Sequence, residues 1–302
     1  MKTVSVILAT YNGEKTIEQV VASMLNQEGN GTEFSLELIA VDDCSKDCTV
    51  NLLNKFNLQV FSTEQNTGGP NHGRNIGLSK ATGNYICIAD QDDVWAPNKI
   101  KTLLPHLCKV PIVTSGYTVV DHQTNKTLKR TKQSTNGYTY FQPNETFLAK
   151  LTRSKTGQNT YLGSIIYSNN LQHIRFEETH GMVDYDWILR LFEGQDSIEV
   201  AASLFTRVVH GNNLSLDAGY RQKDYEYSLS FVERYQNGYL EAVQQGKKNI
   251  HGSKARYHYV MGEMKQARTY FRLAGLNVKT ALYYLTTFGG SSLVKKYFNV
   301  FG

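Results

Sequence analysis

Three carboxylates crowd into the four positions Asp90-Gln91-Asp92-Asp93, directly behind the apolar stretch Tyr85-Ile86-Cys87-Ile88-Ala89. At the exit of a buried strand such charges repel one another and cost desolvation energy. A hard cation or a polyhydroxylated ligand resting against them would offset that cost. A diphosphate carrying Mg2+ or Mn2+ is such a partner, because these ions are usually shared between one or two carboxylates and substrate phosphates. An isolated Asp-rich tetrapeptide would instead be a solvated turn. Its neighbours along the chain argue that this one is not isolated.

The elements that must position the run alternate between two periodicities. Val4 to Ala9 is a short apolar run, and between Glu14 and Gln27 the residues Ile17, Val20, Val21, Met24 and Leu25 recur at helical spacing. Leu36–Val41, Gln59–Phe61, Tyr85–Ala89 and Ile112–Val120 follow as strands, with helices over Cys48–Phe56 and Gly73–Ala81 and another opened by Pro97. This alternation predicts an α/β domain with a mostly parallel sheet covered on both faces, whose ligands bind beyond the carboxyl ends of the strands. Those ends carry Thr10-Tyr11-Asn12-Gly13, Asp42-Asp43-Cys44-Ser45, Asn66-Thr67-Gly68-Gly69 and the acidic run. The unusual polar and glycine-rich chemistry therefore falls on one rim.

From about Thr124 to Thr160 the chain is polar and weakly periodic, which suggests an insertion or an acceptor-side loop region. Leu162–Tyr167 resumes a strand pattern and Asp184–Phe192 a helical one. Past Gly219 helices are expected over Tyr225–Val243, Ser253–Ala274 and Val278–Thr287, with a soft boundary near Asp217.

The 302 residues, 40% hydrophobic and 20% charged, are those of an ordinary folded chain. Met1–Ala9 reads as a first strand, since its apolar stretch is very short and no small-residue cleavage pattern follows. No stretch approaches transmembrane length. None of the four cysteines forms a Cys-x-x-Cys pair, and Cys87 and Cys108 read as reduced core thiols, which points to a cytoplasmic protein. From Asp217 onward there are 13 Lys/Arg against 6 Asp/Glu, while the remainder is mildly acidic. A basic tail suggests an anionic partner, and a solvated helical surface is the plain alternative.

Val4–Asn12, Val41–Ser45, Gly73–Gly77 and Asp90–Trp95, in that order and spacing, resemble the successive blocks of family 2 glycosyltransferases, inverting enzymes of the nucleotide-diphospho-sugar transferase (GT-A) fold. The resemblance covers roughly residues 3 to 215. It implies a catalytic domain over 1–216, with a nucleotide-sugar half to about residue 120 and an acceptor half beyond it, and a helical region over 217–302. By the same resemblance Thr10 and Tyr11 contact the base, Tyr11 by stacking. Asp42 accepts from the uracil ring nitrogen, and Arg74 meets phosphate or ribose. Taken alone, Tyr11 could simply pack, Asp42 could cap the next helix and Arg74 could lie exposed. In the acidic run, Asp92 resembles the ribose and diphosphate-side residue, Asp93 the direct ligand of Mn2+ or Mg2+, and Asp90 a structural or sugar-contacting residue.

Gly181–Trp187 resembles the segment that supplies the catalytic base, with Val183 standing where the family usually has Glu. Asp184 aligns with the base, and Asp186 remains an alternative. On a helix, Asp184 would share a face with Trp187, a candidate sugar platform. Arg207–Ser215 resembles a late loop whose histidine, here His210, faces metal and diphosphate. The implied reaction is transfer of a hexosyl unit from a UDP-sugar to a hydroxyl of a glycan or lipid-linked glycan in cell-surface polysaccharide synthesis. A dTDP-rhamnose donor and a catalytically dead scaffold are the alternatives. The Tyr/Leu/Lys-rich end, from Tyr283 to Phe298, could lie on the inner face of a membrane or pair subunits. A nucleotidyltransferase and a redox dinucleotide-binding protein are disfavoured by the first turn, which lacks their glycine-rich loops. A nucleic-acid partner is disfavoured by the acidic rim, which repels phosphodiesters.

Overall fold

A computed structural model describes residues 1–302 apart from 57, 122–124, 155, 180–182, 210–217, 276 and 291–302. The first apolar run forms β1 (Lys2–Thr10), in which every side chain from Val4 to Leu8 is buried. It lies between two parallel neighbours, β2 (Phe34–Asp42) and β4 (Tyr85–Asp90), and β3 (Gln59–Ser62) extends the sheet beyond β2. Parallel pairing needs crossover connections that cover both faces, so β1 and β4 read as continuous apolar runs.

The first crossover helix, α1 (Ile17–Leu25), buries Ile17, Val20, Val21 and Met24, the stripe expected from its sequence spacing. After the short α2 (Thr49–Leu53), α3 (Pro70–Lys80) begins with proline where the helix needs no N–H partner. A Cβ on Gly77 would collide with the Ile7 side chain, so this glycine lets α3 approach β1 closely. That approach brings Arg74, one turn earlier, to the carboxyl end of β4.

Beyond β4 the sheet becomes mixed. β9 (Ile166–Ser168) runs antiparallel to both β4 and β6 (Ile112–Asp121), and β10 (Ser197–Val209) is parallel to β6. β5 (Asp93–Trp95) returns antiparallel along β10, while β7 (Lys126–Arg130) pairs with β6 and β8 (Tyr138–Phe141) with β10. Among the described residues these ten strands form one sheet, ordered β3-β2-β1-β4-β9-β6-β10-β5 along its main path.

Several local expectations change. The polar stretch before Thr160 holds β7, β8 and α5 (Glu145–Leu151). Leu162–Ser164 is a 3-10 turn, with the strand confined to Ile166–Ser168. Pro97 precedes α4 (Lys99–Leu103), whose cap is Asn98. Cys87 is buried, but Cys108 is exposed because the chain tightens there into a 3-10 helix over Leu104–Cys108.

The chain divides into two compact units, Met1–Phe147 with Gln158–Asp217, and Leu148–Gly157 with Ala218–Gly302. The second contains α7 (Ala218–Glu233), α8 (Leu240–Met261), α9 (Met264–Ala274) and α10 (Val278–Thr286), with a core of Ala255, Tyr259, Ala267, Phe271 and Tyr283. Helices expected to run through Tyr225–Val243 and Ser253–Ala274 are each broken. Gly262, at φ 83°, ends α8 in the left-handed region that glycine adopts without a Cβ penalty. Gly246 of α8 lies against the Leu151 carbonyl where no Cβ would fit, and Asn249 donates to the Thr152 carbonyl at 2.7 Å. No helix among the described residues is long and apolar enough to cross a membrane.

Candidate active site

The carboxyl ends of β1, β2 and β4 lie side by side, with Thr10 in register with Asp42 and Ala9 with Asp90. Thr10 Oγ1 donates to the Asp42 carboxylate at 3.1 Å, and the Ser45 N–H and hydroxyl donate to it at 2.8 and 2.5 Å. Asp42 is only 1% exposed. These bonds close the turn that follows β2. The adjacent Asp43 gathers the next loop through donors on Thr63, Asn66 and Thr67.

Tyr11 is the open member of this end, at 39% exposure. The Gln91 side-chain amide accepts from the Tyr11 N–H at 2.9 Å and donates to the Tyr11 carbonyl at 3.0 Å. A side chain thus continues strand pairing past the ends of β1 and β4. Gly13 leaves room for it, since a Cβ there would fall 2.7 Å from Gln91 Oε1.

Arg74 does not present an open fork of donors. It is buried, with one terminal nitrogen paired to Asp90 at 2.8 Å, the other donating to Asn71 at 3.0 Å, and its guanidinium 5.2 Å from the Phe176 ring centroid. Arg74 is thus not exposed on its helix, and it braces Asp90 at the strand rim. Asn71 in turn donates to the carbonyls of Glu177 and Val183 at 2.8 and 3.1 Å. The residue after Val183 is Asp184, so the start of α6 (Tyr185–Phe192) is tied to the end of β4.

Asp184 occupies the N-cap position of α6, is half-buried and makes no side-chain capping bond to that helix. Asp186 is 2% exposed and is gripped by Arg190 at 2.9 and 2.6 Å. The two aspartates that the sequence left in competition therefore have different surroundings. Trp187 is not a sugar platform: it is fully buried, donates to the Ile174 carbonyl at 2.9 Å and stacks on Phe176 at 4.6 Å. In so short a helix the largest apolar ring is drawn into the core. His210, expected to face a metal, lies outside the described residues.

Asp93 heads β5 opposite Arg207 and is 0% exposed, and neither carboxylate oxygen has a hydrogen-bond donor among the described residues. Burial first, then Asp90 and Asp92, push its pKa well above the usual carboxylate range, against the pull of Lys99 and Arg207. Gly163 clears the space beside it: a Cβ there would lie 2.7 Å from Asp93 Oδ2. Lys99 is sealed in the same region, donating to the Gly163 carbonyl at 2.5 Å and lying 3.6 Å from the Trp95 ring centroid. Burial lowers its pKa to about 8.

Asp93, expected from the resemblance to be the direct metal ligand, is enclosed in this structure. Asp92 and Asp90 keep partial exposure at the same strand exit. Their oxygen donors suit a hard cation shared with a diphosphate, which takes only one or two protein carboxylates. Among the described residues no cluster of three metal-ligating side chains occurs.

Asn71, Gln91 and Lys99 were not singled out in the sequence. The i, i+3 spacing of Asn71 and Arg74 was available as a signal for the first, and position within the acidic run for the second. Nothing local marks Lys99.

The sequence profile of glycosyl transferase family 2 matches residues 5–168, more than half of the chain, and the chain belongs to that family. The poly(ribitol-phosphate) beta-N-acetylglucosaminyltransferase TarS of Staphylococcus aureus is 43% identical over 93 residues, 30% of this chain and 16% of that protein. The hyaluronan synthase of Pasteurella multocida is 25% identical over 308 residues, 98% of this chain and 30% of that protein. The chain thus spans less than a third of either relative. Among solved structures, S. aureus TarS 1–349 in complex with UDP-GlcNAc superposes with a TM-score of 0.63 at 20% identity, covering 96% of this chain and 80% of that one. The mannosyltransferase PcManGT from Pyrobaculum calidifontis, in complex with GDP-Man and Mn2+, gives 0.61 at 15% identity, covering 97% and 80%. At such identities the likeness establishes the fold alone, which is GT-A with a C-terminal helical region.

Proposed function

We propose that this chain is an inverting glycosyltransferase that moves a hexosyl unit from a UDP-sugar to a hydroxyl of a glycan or lipid-linked glycan in cell-surface polysaccharide synthesis. One observation carries the reading: in a family 2 chain, Asp90 and the turn before Asp184 are linked through Arg74 and Asn71, at the strand rim that also carries Thr10, Tyr11 and Asp92. The names of the relatives, a poly(ribitol-phosphate) transferase and a hyaluronan synthase, support the polysaccharide context.

Tyr11 offers its exposed ring to the base, while Asp42 acts from behind by holding Thr10 and Ser45. Asp184 serves as general base on the acceptor hydroxyl. Direct displacement needs no enzyme nucleophile. Asp92, beside Asp90, would hold Mn2+ or Mg2+, which when bound neutralises charge on the departing diphosphate. Contact with a membrane, and the inner-face location expected for it, rest on the basic helical end alone.

The test is a thermal-shift screen of UDP-glucose, UDP-galactose, UDP-N-acetylhexosamines and dTDP-rhamnose with Mn2+, followed by assay for released nucleoside diphosphate. A donor at a hundredfold excess over its Kd should stabilise the fold by about 2.7 kcal/mol, a shift of several degrees. If no nucleotide sugar shifts the melting point and none is turned over, the reading fails.

A further inference from the structure

The helical unit carries a half-open recess of about 910 Å3 between α7, α8, the segment around Arg153 and the start of α10. Its lining carries six cationic side chains, Arg153, Arg221, Lys248, Lys254, Arg256 and Lys279, against a single carboxylate, Asp224. Cations on protein surfaces normally find acidic neighbours. Here Arg221, Lys248, Lys254, Arg256 and Lys279 form no ion pair among the described residues.

What holds these charges in place is uncharged. Lys254, 7% exposed, donates to Gln222 Oε1 at 2.6 Å and lies 5.3 and 5.5 Å from the ring centroids of Tyr225 and Tyr257. Arg221 sits 5.3 Å from the Tyr257 ring on the same wall. Ring faces and amides orient a cation without cancelling its charge at longer range. Arg256 is half-buried in the lining, and burial draws its pKa below that of an ordinary arginine. Asp224, Glu226 and Glu263 act on Lys254 and offset part of this charge, and the six cations leave a net positive potential in a concave, partly aromatic space.

We infer that this recess binds an anionic glycan, a sugar chain carrying phosphate or carboxylate groups. The cations meet the charged groups, and polar lining side chains such as Gln245 and Asn277 meet sugar hydroxyls. A bilayer would meet a flat or protruding surface, not a recess, so a polymer segment is the better fit. Naming this glycan as acceptor rests on the transferase reading, whereas the binding itself does not.

The experiment measures binding of the full chain to fluorescently labelled oligogalacturonate and to polyphosphate. Inorganic phosphate, neutral maltooligosaccharide, and phosphatidylglycerol or phosphatidylcholine vesicles are the comparison arms. Oligogalacturonate or polyphosphate should bind saturably and weaken as salt rises, with the neutral sugar silent. Lys248→Gln with Lys279→Gln, two exposed rim positions outside the nucleotide site, should lower affinity roughly tenfold and leave UDP binding unchanged. Equal binding of maltooligosaccharide, an unchanged affinity in the double variant, or binding only to inorganic phosphate or phosphatidylglycerol vesicles would overturn the inference. Polyanion binding without nucleotide-sugar turnover would instead sink the transferase reading alone.

Discussion

Asn71 and Arg74, one turn apart on α3, form a single hydrogen-bonded unit joined at 3.0 Å that spans the two sides of the candidate site. Arg74 reaches Asp90 at the end of β4, while Asn71 reaches the Val183 carbonyl immediately before Asp184. Glycine at position 77 makes the span feasible by seating the helix against β1. A buried amide with these three partners is specified tightly, because each one lost leaves a polar group without water.

Asn71→Leu should therefore cost about 2–4 kcal/mol, from two orphaned carbonyls and a disturbed Arg74. Thermal denaturation would show this as a fall of several degrees. Transfer should drop more than UDP affinity, since the change displaces Asp184 from the rim. A variant that melts and turns over like wild type would disprove the linkage.

Asp184→Asn should reduce transfer about 10²–10⁴-fold, the usual range for a lost general base, with UDP affinity nearly intact. Asp186→Asn should act differently. It breaks the pair between the buried Asp186 and the half-buried Arg190, so its main effect should be a lower melting temperature. Kinetics and melting curves on both variants would reveal a reversal of these roles.

Within the acidic run, Asp92→Asn should abolish the enhancement of UDP binding by Mn2+ in titration calorimetry. Asp93→Asn should preserve it, because Asp93 is enclosed and its pKa is raised, and asparagine matches the shape of the neutral carboxyl. Loss of the Mn2+ effect in Asp93→Asn alone would return the ligand role to that residue.

Lys99 gives a pH signature. Its pKa falls from 10.5 to about 8 on folding, chiefly through burial. Between those values the unfolded chain binds more protons than the folded one, so stability rises with pH across that window. Below it both states are protonated and the full penalty of the buried charge applies. Melting temperatures of wild type relative to Lys99→Met should climb through this interval. A flat difference would mean that Lys99 does not titrate as a buried ammonium.

The sequence by itself determined the parallel half of the sheet and the rim on which Thr10, Tyr11, Asp42, Asp90 and Asp92 gather. Apolar runs and helical spacing are local signals, and in such a sheet the strand ends fix where polar chemistry can stand. It did not determine β10, whose run through Ala201, Ala202 and Ser203 lacks a clear pattern and whose register with β6 shifts between Val200 and Thr206.

Only the tertiary structure decided which carboxylates face outward. Asp93 is enclosed beside Gly163 and Lys99, Asp186 is held by Arg190, and Asp184 is tied to the rim by Asn71. Asn71 and Val183 are 112 positions apart along the chain. Burial and hydrogen bonding at such separations depend on how helices settle against the sheet, and adjacent aspartates of identical chemistry carry no local mark of that outcome.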